Sequence, residues 1–118
     1  MAIAVLPPPA PTTTSSTVPG TVRALSTGVA YTTPRPGDPP DSDFDRLAQC
    51  ESGQRWDLNT GNGYYGGVQF SASTWHAYGG PDLPSQHTRA EQIEIARRVW
   101  RARGWAPWPS CSRQTGLR

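Results

Sequence analysis

The stretch FDRLAQCESG, Phe44 to Gly53, decides how the chain is read. Phe44, Leu47 and Ala48 recur at i, i+3 and i+4, the spacing that puts apolar side chains on one face of a helix. Ser42 or Asp43 is placed to cap its start and Gly53 to end it, so a first helix is predicted over about 43 to 52. That helix closes on a cysteine, Cys50, and a carboxylate, Glu51. Glu51 is the wrong residue there for stability, because the C-terminal end of a helix carries partial negative charge. A carboxyl that must stay protonated near neutral pH to donate to a leaving group gains from such surroundings, above all when aromatic neighbours desolvate it.

Upstream of this helix the composition changes. Nine of the 13 prolines precede position 44, while ten of the 11 aromatic residues lie at or after it. Residues 1–43 therefore read as a disordered Pro/Thr/Ser-rich linker of the kind that tethers extracellular modules, and 44–118 as one small domain. A unit of that size buries only about 60% of its unfolded surface and usually needs a staple beyond its core. This excludes a nucleotide-binding α/β fold and a barrel enzyme. The net charge of +2 is far from the basic stripe of a nucleic-acid binder. Met1 to Leu6 is too short for a signal-peptide core, so no export signal is visible, and no apolar run approaches the length of a membrane span.

Downstream, Asn59 to Gly67 (NTGNGYYGG) carries no helical period and reads as a turn-rich loop or short hairpin presenting Tyr64 and Tyr65. Ser71 is placed to cap a short helix that runs through Tyr78 and stops at Gly79-Gly80-Pro81. Thr88-x-x-Glu91 forms a capping box ahead of Ile93, Ile95, Ala96, Val99, Trp100 and Ala102, and this helix ends at Gly104. Glu91, Glu94, Arg97, Arg98 and Arg101 cluster away from that apolar face and are expected to face solvent. The fold class is α+β, mainly helical, with one Gly/Tyr-rich excursion.

Several motifs dissolve on inspection. Gly61-x-Gly63-x-x-Gly66 follows no strand and opens no helix, so it is not a dinucleotide site. Asp57, Asn59 and Gly61 begin like a calcium loop, but Val68 stands where that loop needs Glu. His76, His87, Cys50 and Cys111 lack zinc-site spacing. A Cys/His nucleophile would require a free thiol, whereas pairing Cys50 with Cys111 would close most of the domain into one loop and stabilise it by about 4 kcal/mol. Such a bridge implies an oxidising compartment. No metal and no cofactor are expected.

The segments Phe44 to Gly53, Trp56, Asn59 to Phe70, Ser73-Thr-Trp75, Ala77-Tyr-Gly-Gly80 and Gly104-Trp…Trp108-Pro-Ser-Cys111 together resemble, in order, the catalytic domain of bacterial resuscitation-promoting factors. The resemblance implies a small lysozyme-like, transglycosylase-like fold closed by a Cys50–Cys111 disulfide. It further implies cleavage of the β-1,4 bond between N-acetylmuramic acid and N-acetylglucosamine in peptidoglycan. By position, Glu51 is then the general acid, and Thr74, Gln69, Tyr64 and Tyr65 are the substrate-binding residues. Trp75 is assigned to the core. Phe44 stands where such domains usually carry Trp, and Gln54-Arg55 replaces a more usual Gly-Asn.

The expected product is either a 1,6-anhydro sugar or a hydrolysed end, with the growth resumption of dormant bacteria as the associated role. The rival reading is a non-catalytic peptidoglycan-binding or growth-signalling module on the same fold. Expected partners are peptidoglycan glycan strands, with a cell-wall endopeptidase as a further candidate, and neither nucleic acid nor a membrane. The chain is expected to be a monomer, secreted or associated with the cell wall.

Overall fold

The longest helix organises the molecule because both of its long faces are covered. In the computed structural model, which describes residues 28–118, helix α3 runs Arg89–Arg103. Before it come α1 (Asp41–Ser52), strands β1 (Tyr64–Tyr65) and β2 (Phe70–Ser71), α2 (Ala72–Ala77) and a 3-10 turn at Pro84–Gln86; after it comes α4 (Pro109–Gln114). The strands pair antiparallel, Tyr64 opposite Ser71 and Tyr65 opposite Phe70.

The caps follow the sequence. The Thr88 hydroxyl accepts from the Glu91 N–H while the Glu91 carboxylate reaches back to the Thr88 N–H, satisfying two backbone donors at the helix start. The Ser71 side chain accepts from the Thr74 N–H at the start of α2. Gly53, at φ 70°, closes α1 in the left-handed conformation, with the following Gln54 N–H bonded back to the Ala48 carbonyl. The start of α1 differs from expectation: Pro40 is the N-cap, and Ser42 and Asp43 lie inside the first turn. Helix α4 was not expected; Pro109 at its first turn sets φ and gives up no needed N–H.

One side of α3 presents Ile93, Ile95, Ala96 and Val99 to a core shared with Phe44, Leu47 and Ala48 of α1, Val68, Phe70, Trp75, Trp108 and Cys111. The Trp108 indole N–H is satisfied by the Val68 carbonyl at 3.1 Å. Phe44 is fully buried and packs against Trp105 with ring centroids 5.3 Å apart. The Cys50–Cys111 disulfide joins the last turn of α1 to α4.

The other side of α3 corrects two expectations. The boundary placed at 43/44 falls within α1, and residues 28–40 form a strap over the face of α3 that was expected to be solvated. Val29 is buried in the core, and its N–H donates to Glu91 at 3.1 Å. Glu94, 1% exposed, accepts from the Thr32 hydroxyl at 2.8 Å and from Arg97 and Arg98. Arg101 grips Asp38 with two bonds of 3.0 and 2.6 Å, and Arg98 reaches the Tyr78 and Ala30 carbonyls. Buried charge is tolerated when it is paired and hydrogen-bonded, and here the strap supplies the partners. Residues 1–27 of the expected linker lie outside the described residues.

Candidate functional site

Glu51 lies in the last turn of α1, which carries acidic residues in its first turn and no basic residue in its last. The helix dipole thus opposes a negative charge at this position. The side chain is half-buried. Burial pushes its carboxyl up to about 7, because desolvation penalises the ionised form. A carboxylic acid with that value is substantially protonated at neutral pH and is able to donate a proton.

The wall beside Glu51 is built by its neighbour. The Ser52 hydroxyl bonds the Gly67 carbonyl at 2.7 Å and accepts the Arg55 N–H at 3.1 Å, fastening the end of α1 to the turn between β1 and β2. That turn is Gly66–Gly67–Val68–Gln69. The Gly67 N–H is held by the Gln92 side chain of α3 at 2.9 Å, and the Trp56 ring lies where a side chain at Gly67 would go. Asn59 and Asn62 accept the Gly61 and Tyr64 N–H groups, shaping the approach to β1 without regular pairing.

Tyr64 and Tyr65 are half-buried on β1. Gln69 is buried at φ 62°, and its amide donates to the Gly66 carbonyl at 2.9 Å. Thr74, in α2, is 3% exposed, and its hydroxyl accepts from Ser71 at 3.0 Å. The structure therefore gathers Tyr64, Tyr65 and Gln69 on one hairpin, ties that hairpin to the residue after Glu51, and places Thr74 directly beyond it. Gln69 and Thr74 make internal hydrogen bonds that order the hairpin and α2. Trp75 is fully buried, its indole N–H bonded to the Pro81 carbonyl.

Asp45 and Asp57 are the carboxylates that flank Glu51 in sequence. Asp45 is taken up by Arg89 through two bonds of 2.7 Å, and Asp57 is exposed. His87 bridges Glu91 and Asp82 at 3.2 Å on either side. Among the described residues no group of three or more His, Cys, Asp or Glu is arranged to hold a metal ion, and no helix is long and apolar enough to cross a membrane. An open pocket of about 600 Å³, lined by Ala30, Thr32 and Arg35 of the strap and Arg98, Arg101 and Ala102 of α3, shares no residue with the Glu51 site.

Sequence reasoning did not single out Ser52 or Gln92, and took Trp56 only as part of a motif. The adjacent Gly66-Gly67 pair was the available signal, since a missing Cβ marks the close approach of another group. Which group approaches is set by the fold.

Comparison with known proteins gives a consistent result. The family model for the transglycosylase-like domain matches residues 38–111. The chain is 59% identical over 81 residues to resuscitation-promoting factor Rpf1 of Corynebacterium glutamicum, covering 66% of this chain and 42% of that protein. It is 46% identical over 104 residues to resuscitation-promoting factor Rpf of Micrococcus luteus, covering 88% and 46%. With resuscitation-promoting factor RpfC of Mycobacterium tuberculosis it shares 46% over 94 residues, covering 80% and 63%. The chain thus spans less than two thirds of the length of each of these relatives.

Proposed function

The chain belongs to the transglycosylase-like domain family, as a domain of the resuscitation-promoting-factor type, and on that premise we propose that it cleaves peptidoglycan glycan strands with Glu51 as general acid. The observation that carries this reading is a half-buried carboxyl at a helix C-terminus, pushed up to about 7 by burial. The bond is the β-1,4 linkage between N-acetylmuramic acid and N-acetylglucosamine. Tyr64 and Tyr65, half-buried on β1, form the substrate side of the site, with the buried Gln69 and Thr74 ordering the hairpin and α2 behind them. A cell-wall endopeptidase, which would cut the peptide stems, is the proposed working partner.

Glycosidases ordinarily use two carboxylates. With Asp45 committed to Arg89 and Asp57 exposed, a single-acid route is the one this site supports. Protonated Glu51 gives its proton to the glycosidic oxygen as the bond to C1 breaks. The muramic 6-hydroxyl then attacks C1 and Glu51 takes up the released proton, leaving a 1,6-anhydro end. Water in place of that hydroxyl gives the hydrolysed end. The disulfide fits an oxidising location, which supports a domain that is secreted or on the wall; the domain is taken to act as a monomer. Its cleavage products, or the loosened wall, would support growth resumption.

The test is digestion of purified peptidoglycan by the wild type and by Glu51→Gln, with fragments weighed by mass spectrometry. Loss of fragments in the variant is expected, and terminal products lighter by one water mark the transglycosylase route. Equal digestion by both proteins removes Glu51 from its role. Binding of glycan by both with fragments from neither would support the recognition module instead.

A further inference from the structure

Gln92 lies on α3 with none of its surface exposed, and its side-chain amide holds three separate segments. Oε1 accepts the Gly67 N–H at 2.9 Å, while Nε2 donates to the carbonyls of Trp56 at 2.7 Å and His87 at 2.8 Å. One acceptor and two donors at a single point is what a neutral primary amide offers. A carboxylate has no donors, and an aliphatic side chain has neither kind of group. The backbone is shaped to receive it. A Cβ on Gly66 would stand 2.3 Å from Gln92 Oε1, and one on Gly67 would stand 2.2 Å from the Trp56 ring. On its other side Gly67 is held through its carbonyl by the hydroxyl of Ser52, the residue after Glu51. The hairpin turn is therefore clamped between α3 and the end of α1, and Gln92 is the α3 half of the clamp.

We propose that Gln92 is a positioning residue: by fixing the Gly66–Gly67 turn against Ser52, it sets the placement of the Glu51 carboxyl relative to the hairpin that carries Tyr64, Tyr65 and Gln69. The proposal rests on the reading of Glu51 as the acid. Misplacing reacting groups by a fraction of an ångström lowers the chemical rate more than it lowers binding. Loss of Gln92 should therefore appear in kcat with little change in KM.

The experiment measures kcat and KM on a soluble oligomer of alternating N-acetylglucosamine and N-acetylmuramic acid, together with hydrogen exchange of the Gly67 amide by NMR. It compares wild type, Glu51→Gln, Gln92→Met, Gln92→Glu and, as a control for stability, Ile95→Ala in the same helix. Gln92→Met keeps length and volume but loses the amide. It is expected to lose Gly67 protection at least about tenfold and to lower kcat about tenfold or more with KM within about threefold. Ile95→Ala, compared at the same distance below its own Tm, should keep both. Gln92→Glu retains the acceptor for Gly67 and, when protonated, one donor, so it is expected to lie between Met and wild type; it carries the test if the Met variant does not fold. A folded position-92 variant with wild-type kcat, or one whose loss matches that of Ile95→Ala, overturns the proposal. If Glu51→Gln is inactive and Gln92→Met is normal, only the positioning role falls. If Glu51→Gln is fully active, the acid assignment falls and the positioning role falls with it.

Discussion

Asp38 and Glu51 sit on the two sides of one small domain and are driven in opposite directions. Asp38, on the strap, is half-buried, and its carboxyl is held down to about 2, chiefly by the two hydrogen bonds from Arg101. Glu51 is half-buried, and burial pushes it up to about 7. Glu91 shows the balance within one group. Burial pushes it up, but donors from Thr88, Val29 and His87 outweigh that and leave it below the ordinary range. What separates a carboxylate that holds the fold from one suited to proton transfer is the balance between burial and charged partners: desolvation dominates at Glu51, the Arg101 guanidinium at Asp38. The strap supplies cations and N–H donors, whereas the last turn of α1 offers no basic residue and the adverse end of a helix dipole.

The sharpest way to break this contrast is to neutralise the Glu51 side. Glu51→Gln should lower turnover of peptidoglycan by about 10²–10⁴-fold, the usual worth of a positioned acid, while the protein stays folded by circular dichroism. In the wild type, activity should fall as pH rises through about 7, since the proton to be donated is lost there.

On the strap side the largest effect is on stability. Arg101→Ala leaves the Asp38 carboxylate with only the Arg35 N–H as a donor and should cost about 2 kcal/mol, a fall in Tm on the order of 10 °C, read by thermal melting at pH 7. The contribution has a definite pH sign. Asp38 is lowered in the fold, so its stabilisation is present above about 4 and is lost as pH falls toward 2. The Arg101→Ala penalty should shrink over the same interval.

What the sequence showed and what it hid divide along the same line. The capping box at Thr88, the Ser71 cap and the Gly53 stop were legible because each is a local pattern read by the backbone within a few residues. The adverse position of Glu51 was legible for the same reason. The strap was not. Residues 28–40 have no hydrophobic period, and their structure is dictated by Glu91, Glu94 and Arg101, 62 or 63 positions away. With the strap unseen, the charged face of α3 could only look solvated. Gln92 was hidden likewise, as a polar residue beside Glu91, two of whose three partners lie 25 and 36 residues upstream.

The smallest expected effect has the opposite sign from the others. Because Glu51 is raised in the fold, its presence destabilises progressively as pH climbs from about 4.5 to about 7. Glu51→Gln should therefore stabilise the domain by ~1–2 kcal/mol at pH 8, less than the full shift because the side chain is partly solvated, and by nearly nothing at pH 4. Denaturant titrations at the two pH values check this, and a variant less stable at pH 8 would mean that the ionised carboxylate is welcome where it stands.

Whether Glu51 is an acid near neutrality is measured directly by a carbon-13 NMR titration of the side-chain carboxyls in the folded protein. A Glu51 midpoint near 7, with Asp38 titrating near 2 in the same spectra, is the predicted result. A Glu51 midpoint near the ordinary value of about 4.3 would contradict it.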